Sequence, residues 1–232
     1  MKITHVLIAT AVACASQLAL AEGEGSQSLQ LRYTSFGGAE SLYRSYSYQA
    51  TNADGSAFNL RAVQSLRETT GFLPAVNTGG NDLEFSFSNK FSNFDGTYSL
   101  GFAFPNTFAD SSTSFVYGIT RSLSDSLVLS VKGYSGLTSA NALFLSKNFK
   151  LSDSMALDAE VGGIITGYST IDETTGAPKR NVLINARLNY QVSEMLNAFV
   201  GVTNTLGDST RFSLNSSVGN KLALTFGLGG KF

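Results

Sequence analysis

Alternation with a period of two residues constrains this chain more than any other feature. Every second residue from Leu222 to Leu228 is large and apolar (Leu222, Leu224, Phe226, Leu228), and the row runs on through Gly230 to Phe232. Between them stand Ala223, Thr225, Gly227, Gly229 and Lys231. A strand turns successive side chains to opposite faces, so this stretch has one greasy face and one of little bulk. The pattern returns along the chain. Leu29, Leu31 and Tyr33 alternate with Gln30, Arg32 and Thr34, and Phe58, Leu60 and Ala62 with Asn59 and Arg61. Leu83, Phe85 and Phe87 alternate with Glu84, Ser86 and Ser88, and Tyr98, Leu100, Phe102 and Phe104 with Ser99, Gly101 and Ala103. Half-buried sheets of a secreted β-sandwich share this period. A sandwich is expected to bury one face and put charge on the other, whereas here the second face is mostly Gly, Ser, Thr, Ala and Asn.

The connections carry a second pattern. Asn52-Ala-Asp54-Gly55, Asn93-Phe-Asp95-Gly96, Leu123-Ser-Asp-Ser-Leu127, Leu151-Ser-Asp-Ser-Met155 and Val192-Ser-Glu-Met195 are short and turn-forming. The stretches 68–81, 105–112, 167–180 and 204–220 are longer. Short and long connections alternate, as in membrane barrels, and the alternating segments number about twelve, with ten as the alternative. The expected fold is all-β, a single antiparallel up-and-down transmembrane β-barrel. Arg211 to Val218 also alternates, but a strand there would make the number odd. It is read as an extension of a hairpin above the membrane. The Tyr-rich segment Leu42 to Ala50 does not declare its facing, because Tyr43, Tyr46 and Tyr48 fall on both sides.

Composition fits this fold. Charged residues are 14%, well under the usual quarter, and Gly numbers 23 against 3 Pro. Mean hydropathy is only +0.05, which is no argument against a barrel whose apolar rows alternate with a polar lumen. The formal net charge of −1 gives no reason to expect nucleic acid.

The last strand resembles that of the bacterial outer-membrane β-barrel (porin-like) class, which ends in Phe with apolar residues at alternate positions before it. The match lies at Leu224, Phe226, Leu228 and Phe232, and it departs at Gly230, where a larger residue is usual. The resemblance implies that these four residues are the assembly signal read by the barrel-assembly machinery. It also implies a Gram-negative cell outer membrane, lipid around the barrel, periplasmic short turns and external long loops. The start of the chain agrees. Met1-Lys2 is positively charged, Val6 to Ala15 is apolar, and Ala19-Leu20-Ala21 offers small residues to a signal peptidase. Residues 1–21 are read as a signal peptide, with cleavage before Glu22, and 22–232 as the barrel. The apolar run is shorter than the roughly 20 residues of a spanning helix. Cys14 stands in a poor lipoprotein site, with Ala11 where a larger aliphatic residue is favoured.

The only histidine, His5, and the only cysteine, Cys14, both lie in the signal peptide. A mature chain without them has no Ser-His or Cys-His nucleophile and no ordinary transition-metal site, so neither enzyme activity nor a cofactor is expected. Asp158 and Glu160, about 7 Å apart on one strand face, are formally a carboxylate pair. Charges wetting a lumen wall are the better reading. With the apolar rows towards lipid, the pore-lining candidates are Arg32, Arg61, Glu84, Lys90, Lys132, Asp158, Glu160, Arg187 and Lys231. A charge at the lipid midplane costs about 2–4 kcal/mol, which favours this facing. Arg121 and Lys147 fall on the apolar side, to be explained by snorkelling at an interface or by a bulge. A symmetrical loop at 167–180 sets Glu160 opposite Arg187 as a cross-strand ion pair. With Trp absent, interface aromatics fall to residues such as Tyr33, Tyr98, Tyr117 and Tyr190. The function expected is a narrow passive channel for small polar solutes or ions, mildly anion-preferring; the alternative is a non-conducting structural barrel that presents its external loops to a partner.

Overall fold

Where the two-residue period holds, the backbone is extended. The computed structural model describes residues 25–35, 42–66, 81–105, 113–136, 139–167, 182–205, 210, 214 and 222–232. They form twelve strands: β1 (Ser26–Ser35), β2 (Leu42–Thr51), β3 (Ala57–Leu66), β4 (Asn81–Lys90), β5 (Gly96–Pro105), β6 (Ser114–Ser124), β7 (Leu127–Ser135), β8 (Ser139–Lys150), β9 (Met155–Gly167), β10 (Val182–Gln191), β11 (Leu196–Thr203) and β12 (Ala223–Lys231). Each pairs antiparallel with its chain neighbours, and β12 returns to β1 to close a barrel. Closure leaves no sheet edge, which removes the sandwich, and the count of twelve removes the ten-strand alternative. The signal peptide and its cleavage point lie outside the described residues, as do the loops at 67–80, 106–112 and 168–181.

Register fixes the two faces. Leu31 stands opposite Leu228 and Tyr46, and Phe226 opposite Tyr33 and Val200, so most of the large apolar residues share one face. That face is outward: Leu224 is 64% exposed and Val200 54%, while Thr225, between Leu224 and Phe226, is fully buried. Aromatic contacts run along it from strand to strand, through Phe85 and Phe102 to Phe115 and Tyr117. Tyr33 stacks on Phe226, and Phe91 contacts Tyr98. The undeclared tyrosines divide, with Tyr46 and Tyr48 outward beside Leu31 and Leu29, and Tyr43 on the inner row opposite Thr34.

The two awkward cations stay outside. Lys147 is opposite Leu127 and Arg121 opposite Leu129, both on outward rows. The β6–β7 irregularity lies at Ser122/Ser124, beyond Arg121, and does not change its facing. Both residues sit close to the short-turn end, where a long side chain reaches water, and the Lys147 ammonium rests 4.9 Å from the Phe149 ring centre.

Short turns close one end. In the β2–β3 turn the Asn52 amide bonds the Ser56 carbonyl and the Gly55 amide bonds the Asn52 carbonyl. Gly55 has φ of +85°, a conformation in which a Cβ is strained. Asp54 accepts from the Ser56 amide at 2.7 Å. Hydrogen bonding to Ser56 holds its carboxyl below the usual carboxylate range.

One expectation fails at the other end. Within the stretch read as a hairpin extension above the membrane, Leu214 is helical, and so is the neighbouring Thr210. Leu214 is buried among Tyr134, Phe144 and Leu183, whose register places them on the inner wall. The chain therefore turns into the barrel there; the rest of 211–218 lies outside the described residues.

Candidate functional site: the barrel lumen

The inner rows bring most of the charged candidates together at mid-barrel. Arg61 stands directly opposite Glu84, and their Nη1 and Oε1 atoms are 3.0 Å apart. Glu84 is only 1% exposed and accepts two further bonds, from the Thr210 amide at 2.7 Å and the Thr210 hydroxyl at 3.2 Å. A buried carboxylate is tolerated only when paired and hydrogen-bonded in this way. On β1, the equally buried Arg32 donates from Nε to Thr225 at 2.8 Å.

Across the lumen Lys132 of β7 meets Glu160 at 3.3 Å, and Ser146 donates to the same carboxylate oxygen at 3.0 Å. Arg187 of β10 meets Asp158 of β9 at 3.0 Å, and Asp158 also accepts from Asn189 at 2.8 Å and Asn148 at 2.6 Å. The expected Glu160–Arg187 pair is therefore not formed. The β9–β10 register sets Asp158 opposite Arg187 and Asn185 opposite Glu160, and Glu160 turns the other way round the barrel to Lys132. Each of these pairs is partly wet, worth about 0–1 kcal/mol apiece. They position charge more than they hold the fold.

Aromatic floors support two of the cations: Arg187 lies 5.0 Å from the Phe199 ring centre and Lys132 4.8 Å from that of Phe144. Room for Phe199 comes from its cross-strand neighbour Gly227, where an added Cβ would stand 2.5 Å from Phe199 Cζ.

Between these walls lies a polar cavity of about 340 Å³, bordered by Arg32 and Arg61 on one side and Lys132, Glu160 and Arg187 on the other. Lys90 and Lys231 do not join it. Both are on inner rows but exposed at the short-turn rim, where Lys231 lines a second cleft with Lys150. Gln30 and Asn185 line the cavity and Asp82 is buried on the inner row, and none of them was among the candidates. All three are readable in the sequence, since each is two residues from a candidate on the same face. Thr205, Thr210 and Leu214 also border the cavity, and no periodicity signals that.

Asn204, just before Thr205, is tied to β10. Its side chain accepts from the Ile184 amide at 2.7 Å and donates to the Val182 carbonyl at 2.6 Å. The Asn204 amide also donates to the Ile184 carbonyl at 3.0 Å, so backbone and side chain together fasten the end of β11 to β10.

No protein-family model matches the chain, and no curated protein matches it by sequence. Solved structures do match in fold. The KdgM porin aligns at TM-score 0.55 and 13% identity, over 88% of this chain and 99% of that one. The KdgM porin in complex with disordered oligogalacturonate aligns at TM-score 0.57 and 13% identity over the same shares. The NanC porin aligns at TM-score 0.51 and 8% identity, over 88% of this chain and 98% of that one. Likeness at such identities is one of fold: the chain has the closed barrel fold of bacterial outer-membrane porins.

Proposed function

We propose that this barrel is a narrow passive channel for small polar solutes and ions in the outer membrane of a Gram-negative bacterium. The observation that carries the reading is the polar cavity inside a closed, apolar-skinned barrel, bordered by Arg32, Arg61, Lys132 and Arg187. Porins as fold neighbours support it. The pore-lining role belongs to those four with Glu84, Asp158 and Glu160; Lys90 and Lys231 act at the rim. Arg61, Lys132 and Arg187 each meet a carboxylate, which keeps any anion preference mild. The oligogalacturonate complex concerns a neighbour, and acidic sugars enter as test solutes because four cationic side chains border this cavity.

A second reading has its own support. Thr210 and Leu214 occupy lumen space, as they would in a closed, structural barrel whose loops face a partner. Planar-bilayer recording of the purified protein decides between the two. Step-like single-channel currents are expected, and a silent, correctly folded barrel would favour the structural reading.

Lipid contacts the outward rows in this proposal, and the barrel-assembly machinery reads Leu224, Phe226, Leu228 and Phe232, all outward and exposed. Backbone bonds between Phe232 and Gln27 complete the β12–β1 seam. Removing Phe232 is expected to lower the yield of heat-modifiable barrel in cells without stopping export across the inner membrane. Gel mobility of unheated membrane fractions checks this, and an undiminished folded band would remove the signal role.

A further inference from the structure

We propose that Thr210 and Leu214, standing inside the barrel, narrow the lumen and thereby set the largest solute that can pass; this rests on the channel reading above. The two residues are fastened to different sectors of the wall. Thr210 is tied to β4, giving both its amide and its hydroxyl to the Glu84 carboxylate, which Arg61 of β3 also engages. Leu214 is set among Val116 of β6, Tyr134 of β7, Phe144 of β8 and Leu183 of β10. Two helical residues four apart in sequence thus have a polar anchor at one and an apolar anchor at the other.

The inner wall itself points to the same role. A lumen filled with water is lined by polar side chains, and barrels of this size leave space that their own wall does not fill. Here the sector from β5 to β10 carries Ala103, Val116, Tyr134, Phe144 and Leu183 on inner rows, and all are buried. Such residues suit a dry contact, and Leu214, 4% exposed, supplies it. The remaining cavity of about 340 Å³ has Thr210 and Leu214 on its border, so these side chains form part of the passage wall. Asn204 fastens the end of β11 to β10 with its side chain.

The test compares the full-length wild type with Leu214→Ala and with Thr210→Val/Leu214→Ala. Heat-modifiable mobility first establishes that each variant is folded. Single-channel conductance and swelling of liposomes in neutral sugars of increasing size are then measured. Conductance is expected to rise severalfold from wild type to the double variant, and the largest sugar admitted to increase in the same order. Equal conductance and an equal size limit in all three proteins would overturn the proposal and leave the channel reading intact. A silent wild type with conducting variants would end the channel reading for the native protein while upholding these residues as its closure. Silence in all three would overturn both. As a readout that needs no current, Thr210 amide exchange in detergent is expected to quicken in Leu214→Ala. Unchanged exchange would show that the two anchors do not hold one segment.

Discussion

At Arg187 a shift of two residues in the partner decides which charges meet. Asp158, not Glu160, stands opposite, and it also collects Asn148 and Asn189, so the guanidinium is held over Phe199. Charge reversal there places a carboxylate against Asp158, and like charges directly opposite are destabilising. Arg187→Glu is expected to fold with somewhat lower heat stability and to move ion selectivity towards cations. The reversal potential in a salt gradient checks this, and an unchanged value would take Arg187 out of the ion path. Asp54, in the β2–β3 turn, gives a titration free of the membrane. Its carboxyl is depressed through Ser56, so the bond it makes is complete above the ordinary carboxylate pKa and is lost as pH falls through the lower, folded value. Ser56→Ala is expected to bring the Asp54 carboxyl back up towards its ordinary pKa. Carbon-detected NMR titration of the side chain measures it, and an unmoved pKa would assign the depression elsewhere.

Among the elements, β12 joins both functions of the wall. Its outward row is Leu224, Phe226 and Leu228, and its inward row is small, which lets β11 turn Phe199 into the lumen beneath Arg187. Gly227 is where that economy is tightest. Gly227→Val inserts bulk into a packed contact, and overpacking of this kind typically costs about 1–3 kcal/mol. A lower unfolding midpoint in detergent is expected because the added Cβ runs into the Leu31 carbonyl of β1. A selectivity change in the direction of Arg187→Glu is expected too, because Phe199 beneath the cation is displaced. A stability loss with unaltered selectivity would separate the Phe199 floor from the ion path.

Over the whole molecule, the contrast of faces makes a paired prediction. Val200 is outward and 54% exposed, whereas Asn59 is on the inner row beside the cavity. Val200→Arg is expected to cost about 2–4 kcal/mol if the site lies near the midplane. Asn59→Arg is expected to leave folding nearly unchanged and to alter conductance instead. Folding into vesicles across a urea series measures the first and bilayer recording the second. Equal tolerance of arginine at both positions would contradict a lipid-facing outer row.

Local chemistry was enough for the strands, the facing of nearly every side chain and the twelve-fold count. A side-chain period of two is a property of the extended backbone itself, so Leu224 and Thr225 declare opposite faces wherever β12 ends up. The same rule placed all nine charged candidates on inner rows. It was silent on the Tyr-rich β2, where large residues stand on both faces. Partnership was another matter. That Arg187 meets Asp158 and Glu160 meets Lys132 depends on the stagger of the strands from β7 to β10, which no periodic signal in the sequence fixes. The inward course of Thr210 and Leu214 was hidden for the same reason. Alternation at 211–218 suggests an extended chain, but a carboxylate 126 residues away in sequence holds Thr210 and an apolar wall gathered from several strands holds Leu214. Such long-range contacts exist only once the barrel has closed.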